Sequence, residues 1–96
     1  MQLIKCYRVS GKVQGVFFRS STARRATELN LSGTVLNRAD GTVEVIAAGE
    51  PVALETLHQW LHEGPELATV DQVEELPCDE RMRKALPAAE FSVVRI

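Results

Sequence analysis

The chain has 96 residues, of which 45% are hydrophobic and 25% charged, with a net charge of −2; this is the make-up of one small globular domain over residues 1–96. No apolar run approaches the ~20 residues of a membrane span, and the first residues lack the basic head and apolar stretch of an export signal, so a cytoplasmic protein without membrane partners is expected. Two cysteines, Cys6 and Cys78, are too few for a disulfide scaffold and read as reduced thiols, with one bridge open to them. Five aromatic residues and an acidic balance speak against a nucleic-acid partner.

In chain order, Leu3–Val9 reads as a strand, with Ile4 and Cys6 on one face and Lys5, Tyr7 and Val9 on the other. Cys6 is expected to point into the core as a small apolar residue. Residues 10–15, with Gly11 and Gly15, read as a loop. A helix follows over about 18–29, burying Phe18, Thr22, Ala26 and Leu29, and Asn30 suits the left-handed residue that ends it. Leu31–Asn37 is the second strand. Asp40-Gly41 marks a hairpin turn into a third strand over 42–48, with Val43 and Val45 on one face and Glu44 and Ile46 on the other.

Pro51, tolerated in a first turn, opens a second helix with Leu54, Leu57 and Leu61 as its buried stripe, and Gly64-Pro65 stops it. A fourth strand is expected over 68–76, a charged loop over 77–89 and a last strand over 91–96. The order strand, helix, strand, strand, helix, strand, plus a short final strand, predicts an α+β, ferredoxin-like α/β sandwich with two helices on one face of an antiparallel sheet. That fold hosts many functions and names none.

Charge is unevenly placed along the chain. Residues 1–38 carry seven bases and one acid, net +6, and residues 39–96 carry four bases and twelve acids, net −8. An uneven solvated surface accounts for this, as does an anion-attracting face built by the first third.

The segment with chemical content is Gly11-Lys12-Val13-Gln14-Gly15-Val16-Phe17-Phe18-Arg19. It ends at a helix N-terminus, where unpaired N–H groups and the helix dipole favour an anion, and glycines let such N–H groups converge. Arg19 in the first turn is misplaced against the dipole by about 0.3–1 kcal/mol, which a bound anion would offset. Its guanidinium can hold two phosphoryl oxygens at once. A glycine loop entering a helix beside an incidental arginine is the plainer account. The Walker ending is absent, and the glycine spacing is not that of a dinucleotide loop.

This segment resembles the glycine loop of the acylphosphatases, Gly-x-Val-Gln-Gly-Val-x-Phe-Arg, at every fixed position. Gly33-Thr34-Val35-Leu36-Asn37 with Asp40-Gly41-Thr42-Val43 is similar to the family's second motif, and Gly49-Glu50 and Gly64-Pro65 with Ala68 and Val70 extend the resemblance over nearly the whole chain. The resemblance implies a hydrolase that splits an acyl phosphate, as small-molecule substrate, into a carboxylate and inorganic phosphate. It implies no cofactor and no metal. Arg19 would bind the phosphoryl group, the backbone amides of Gln14, Gly15, Val16, Phe17, Phe18 and Arg19 would cradle its oxygens, and Asn37 would orient the attacking water. Without the resemblance, Asn37 reads as a residue that caps the hairpin.

Thr34, Leu36 and Asn30 depart from the family pattern; Thr34 and Leu36 should face away from Asn37 and so bear on packing. Thr42 is a candidate support for Asn37. The alternative reading is a non-catalytic anion-binding or protein-interaction module, since acylphosphatase-like domains also occur inside larger maturation proteins. A monomer is expected. His58 and His62, four apart on the second helix with Gln59 between, lack a third ligand and read as a solvated face. The basic run 81–84 reads as solvating its loop.

Overall fold

The computed structural model describes residues 2–84, 86 and 90–94. Residues 85 and 87–89 of the expected loop, and 95 and 96 of the expected last strand, lie outside them. Strands β1 (Leu3–Lys12), β2 (Ser32–Asn37), β3 (Val43–Gly49), β4 (Thr69–Leu76) and β5 (Phe91–Val94) form one sheet in the order β4-β1-β3-β2-β5. Helices α1 (Phe18–Glu28) and α2 (Pro51–Glu63) form the second layer. The β1–β3, β1–β4 and β2–β3 ladders are antiparallel, as the expected topology requires. β5 instead runs parallel to β2, so the sheet is mixed rather than antiparallel throughout.

The core lies between sheet and helices. Tyr7 and Val9 from β1, Val35 from β2 and Val43 and Val45 from β3 pack with Phe18, Ala26, Leu54, Leu57 and Leu61, all within a few per cent of full burial. These are the stripes that 3.6-residue and two-residue periodicity select. Trp60 packs against Phe18 with ring centroids 5.9 Å apart. His58 stacks on Tyr7 at 4.8 Å, so this histidine is a packing residue and not part of a solvated face.

β1 runs three residues further than the periodicity predicts, through Ser10, Gly11 and Lys12. These pair with β4 beyond a register irregularity between Ser10 and Gly11, so half of the expected loop is strand. Asn30 adopts the expected left-handed conformation with φ 59°.

The second face of the sheet differs most from expectation. Cys6 does not join the core beneath the helices: strand alternation turns it to the opposite face from Tyr7, where it is fully buried and bonded to Cys78 as a disulfide. The two Cα atoms are 5.7 Å apart, inside the range a bridge needs; the expectation of free thiols is therefore corrected. Within the expected charged loop a short helix α3 (Glu80–Lys84) forms, its start marked by Asp79 Oδ1 accepting from Met82 N–H at 2.8 Å. Met82 Sδ lies 3.7 Å from Cys6 Sγ, and Arg81 and Met82 line a shallow hollow with Thr34, Leu36 and Ile46. The segment thus covers the open face instead of only solvating itself.

Candidate active site

Two segments meet at one edge of the helix-covered face: the turn from β1 into α1, and the mouth of the β2–β3 hairpin. Val13 and Val16 are buried and anchor the turn in the core, leaving the residues between and after them to curl. Gly15 takes φ 75° and Phe17, the residue before α1, takes φ 63° and ψ 23°. An aromatic residue in the left-handed region is unusual and costs about 1–2 kcal/mol. Nothing in the periodicity signalled it. The turn is steadied from within the first helical residues, since Ser21 N–H and Ser20 Oγ both donate to the Phe17 carbonyl, at 3.0 and 3.2 Å.

The consequence of this path is a run of free donors. The backbone N–H groups from Gln14 to Ser20 donate to no backbone acceptor among the described residues, the four from Phe17 to Ser20 by the geometry of any helix start and the rest because the turn is curled. Gly15, Phe17, Phe18 and Arg19 line a cavity of about 310 Å³ together with Asn37 from the end of β2 and Val93 from β5. Val93 is a lining residue that the sequence did not single out, because its place beside the site depends on β5 pairing with β2.

Arg19 is half-buried and has no carboxylate within ion-pair distance among the described residues. Four of the six other bases of the first third behave differently. Lys5 pairs with Glu75 at 3.0 Å, Arg8 with Glu74 at 2.8 Å, Arg25 with Glu28 at 3.6 Å and Arg38 with Glu44 at 2.7 Å. A guanidinium at a cavity wall without a counter-charge, beside unpaired N–H groups, is an electrostatic setting for a dianion.

Asn37 sits at the last paired position of β2, opposite Val43, and its Oδ1 is buried without a hydrogen-bond partner among the described residues. Thr34 and Leu36 project to the other face, into the hollow beside α3, so these departures do bear on packing. Thr42 does not support Asn37 as expected. Its hydroxyl donates to Asp40 Oδ1 at 2.6 Å and its N–H to the same atom at 3.0 Å, which holds the Asp40 carboxyl below its ordinary pKa. The reason is the tight turn itself, in which an Asp side chain captures the donors two residues on. Instead the carbonyl of Thr42 is used, accepting from Arg38 N–H at 2.8 Å and from Gln14 Nε2 at 2.9 Å.

With this geometry in view, comparison with known proteins is decisive. A family model described as Acylphosphatase matches residues 5–93. The chain belongs to the acylphosphatase family. It is 57% identical over 74 residues to an acylphosphatase of Marinobacter nauticus, covering 75% of this chain and 80% of the relative. It is 49% identical over 86 residues to one from Halorhodospira halophila, covering 88% of this chain and 87% of that one. Among solved structures, an acylphosphatase from Coxiella burnetii superposes with a TM-score of 0.81 at 40% identity, covering 97% of this chain and 93% of the other. The protein is accordingly an enzyme that hydrolyses acyl phosphates. No helix among the described residues is long and apolar enough to cross a membrane.

Proposed function

We propose that hydrolysis takes place in the cavity between the curled turn and the hairpin mouth, without a metal ion and without a covalent intermediate. The dianionic phosphoryl group lies against the free N–H groups of Gln14 to Arg19, and the Arg19 fork holds two of its oxygens. A water bound by the Asn37 side-chain amide, which offers both an acceptor and donors, attacks phosphorus in line. The new P–O bond forms as the bond to the acyl oxygen breaks, and the electrons of that bond leave on a carboxylate. Phosphoryl transfer of this kind asks for positioning and charge stabilisation, and a carboxylate needs no proton to depart. The water's protons end on phosphate and solvent. Residues 1–96 act as one domain and one monomer in this reading.

The observation that carries the reading is the convergence at one cavity of a guanidinium, a run of N–H groups and the Asn37 Oδ1, none of them partnered among the described residues. A cytoplasmic location fits the substrate class less directly. The Cys6–Cys78 bridge weighs against it, since cytosolic thiol pools keep most disulfides open.

The test is release of phosphate from acetyl phosphate and from benzoyl phosphate by the purified chain in excess EDTA. Undiminished turnover supports the metal-free route. Activity that vanishes in EDTA and returns with a divalent cation contradicts it.

A further inference from the structure

The Gln14 side chain is the one polar group of the turn that reaches out of it. Its Nε2 donates to two carbonyls at once, those of Arg38 and Thr42, each at 2.9 Å. These carbonyls belong to the two legs of the β2–β3 hairpin at its mouth: Arg38 directly follows Asn37, and Arg38 N–H closes the hairpin onto the Thr42 carbonyl at 2.8 Å. Asn37 opposite Val43 is the last pair of the ladder, so beyond it the sheet no longer fixes the strand. The backbone N–H groups of the turn bond to no backbone acceptor, so among the described hydrogen bonds these two tie the turn to the hairpin. Val13 and Val16, buried on either side, hold the turn in the core independently of Gln14.

We propose that Gln14 is a positioning residue: its side-chain amide clamps the hairpin mouth to the turn and so sets the distance from the phosphate cradle to the water held by Asn37. The inference rests on the site described above and adds a role for a side chain where that reading used only a backbone amide. A primary amide suits the task because one nitrogen carries two hydrogens for two carbonyls. In-line attack is sensitive to small displacements, an error near 1 Å costing up to about a hundredfold.

The test is a double-mutant cycle of Gln14→Leu with Asn37→Ala, with Gln14→Met as a second variant that keeps length and flexibility without a donor. Each protein is assayed for kcat and KM on acetyl phosphate, for inhibition by inorganic phosphate and for its melting temperature. The clamp predicts that Gln14→Leu or Gln14→Met lowers kcat at least about tenfold, while KM and phosphate inhibition stay within about threefold because the cradle is intact. It further predicts that in the Asn37→Ala background the Gln14 change moves kcat by less than about twofold. An unchanged kcat in the folded single variants overturns the proposal, as does a loss that persists in full without Asn37. A proportional rise in KM and in the phosphate inhibition constant also overturns it, since Gln14 would then be a binding residue. If Asn37→Ala alone leaves kcat intact, it is the site reading that fails, a result distinct from failure of the clamp.

Discussion

The role proposed for Asn37 shows how little such an assignment owes to residue type alone. An Asn beside Arg-Ala-Asp-Gly is expected in any hairpin, and only the buried, unpartnered Oδ1 at the wall shared with Arg19 separates it from a turn residue. Because the water assigned to Asn37 in the proposed mechanism would be held most firmly in the transition state, Asn37→Ala should lower kcat by at least about tenfold and leave KM within about threefold; steady-state kinetics on benzoyl phosphate decide it, and a rise in KM at constant kcat would contradict it. Phe17 carries the opposite lesson. The glycine loop was legible in the sequence, but an aromatic residue at φ 63° contradicts local propensity and is imposed by the curl of the turn. Thr42 was legible as a turn residue and misread as a support for Asn37, because sequence proximity does not reveal that Asp40 captures its hydroxyl.

At the level of elements, the helices and the hairpin follow from periodicity and turn chemistry, and they stand close to where the sequence puts them. The elements that were not legible depend on partners distant in the chain. The last residues of β1 are strand only because β4 pairs with them across an irregularity, and the direction of β5 shows only in its parallel pairing with β2. The β2–β3 ladder that carries Asn37 relies on Gly33, at φ 148° with its Cα so near the Ile46 carbonyl that a Cβ would collide with it. Gly33→Ala should cost about 2–4 kcal/mol of stability, read as a lower urea midpoint; an unchanged midpoint would show that the strands can separate there at no cost.

The β1–α2 contact makes a second prediction. Burial, then the charges of Glu75 and Glu55, raise the Tyr7 hydroxyl from 10.0 to about 12. The unfolded chain therefore ionises Tyr7 first as pH rises, and stability present below pH ~10 is lost between about 10 and 12 by up to about 2 kcal/mol. Tyr7→Phe should melt with a flatter pH dependence in that window. An identical slope would remove Tyr7 as the cause.

For the whole molecule, the uneven charge of the sequence cancels in part in three dimensions. Lys5 and Arg8 in the basic third meet Glu75 and Glu74 in the acidic remainder across the β1–β4 ladder, and Arg38 meets Glu44 across the hairpin. Lys12, Arg19 and Arg24 have no ion pair among the described residues, and of these Arg19 lines the cavity, so the basic third does contain the site although half of its charge is matched elsewhere. The second long-range link is the Cys6–Cys78 bridge, separated by 72 residues, which the sequence left open as a possibility but did not favour over reduced thiols. A closed loop of this length restricts the unfolded chain by about 4 kcal/mol. Reduction, or Cys78→Ser, should lower stability by about that amount; equal urea midpoints with and without reductant would show that the bridge contributes nothing.

The proposed chemistry depends on the cradle, from which Arg19→Ala removes the guanidinium. We would measure kcat/KM on benzoyl phosphate for this variant beside the unaltered chain, with circular dichroism to establish that both are folded. The expected result is a loss of at least ~100-fold in the folded variant, as removal of a main transition-state contact entails. A folded Arg19→Ala protein within a few-fold of the unaltered chain would contradict the cradle and the mechanism built on it.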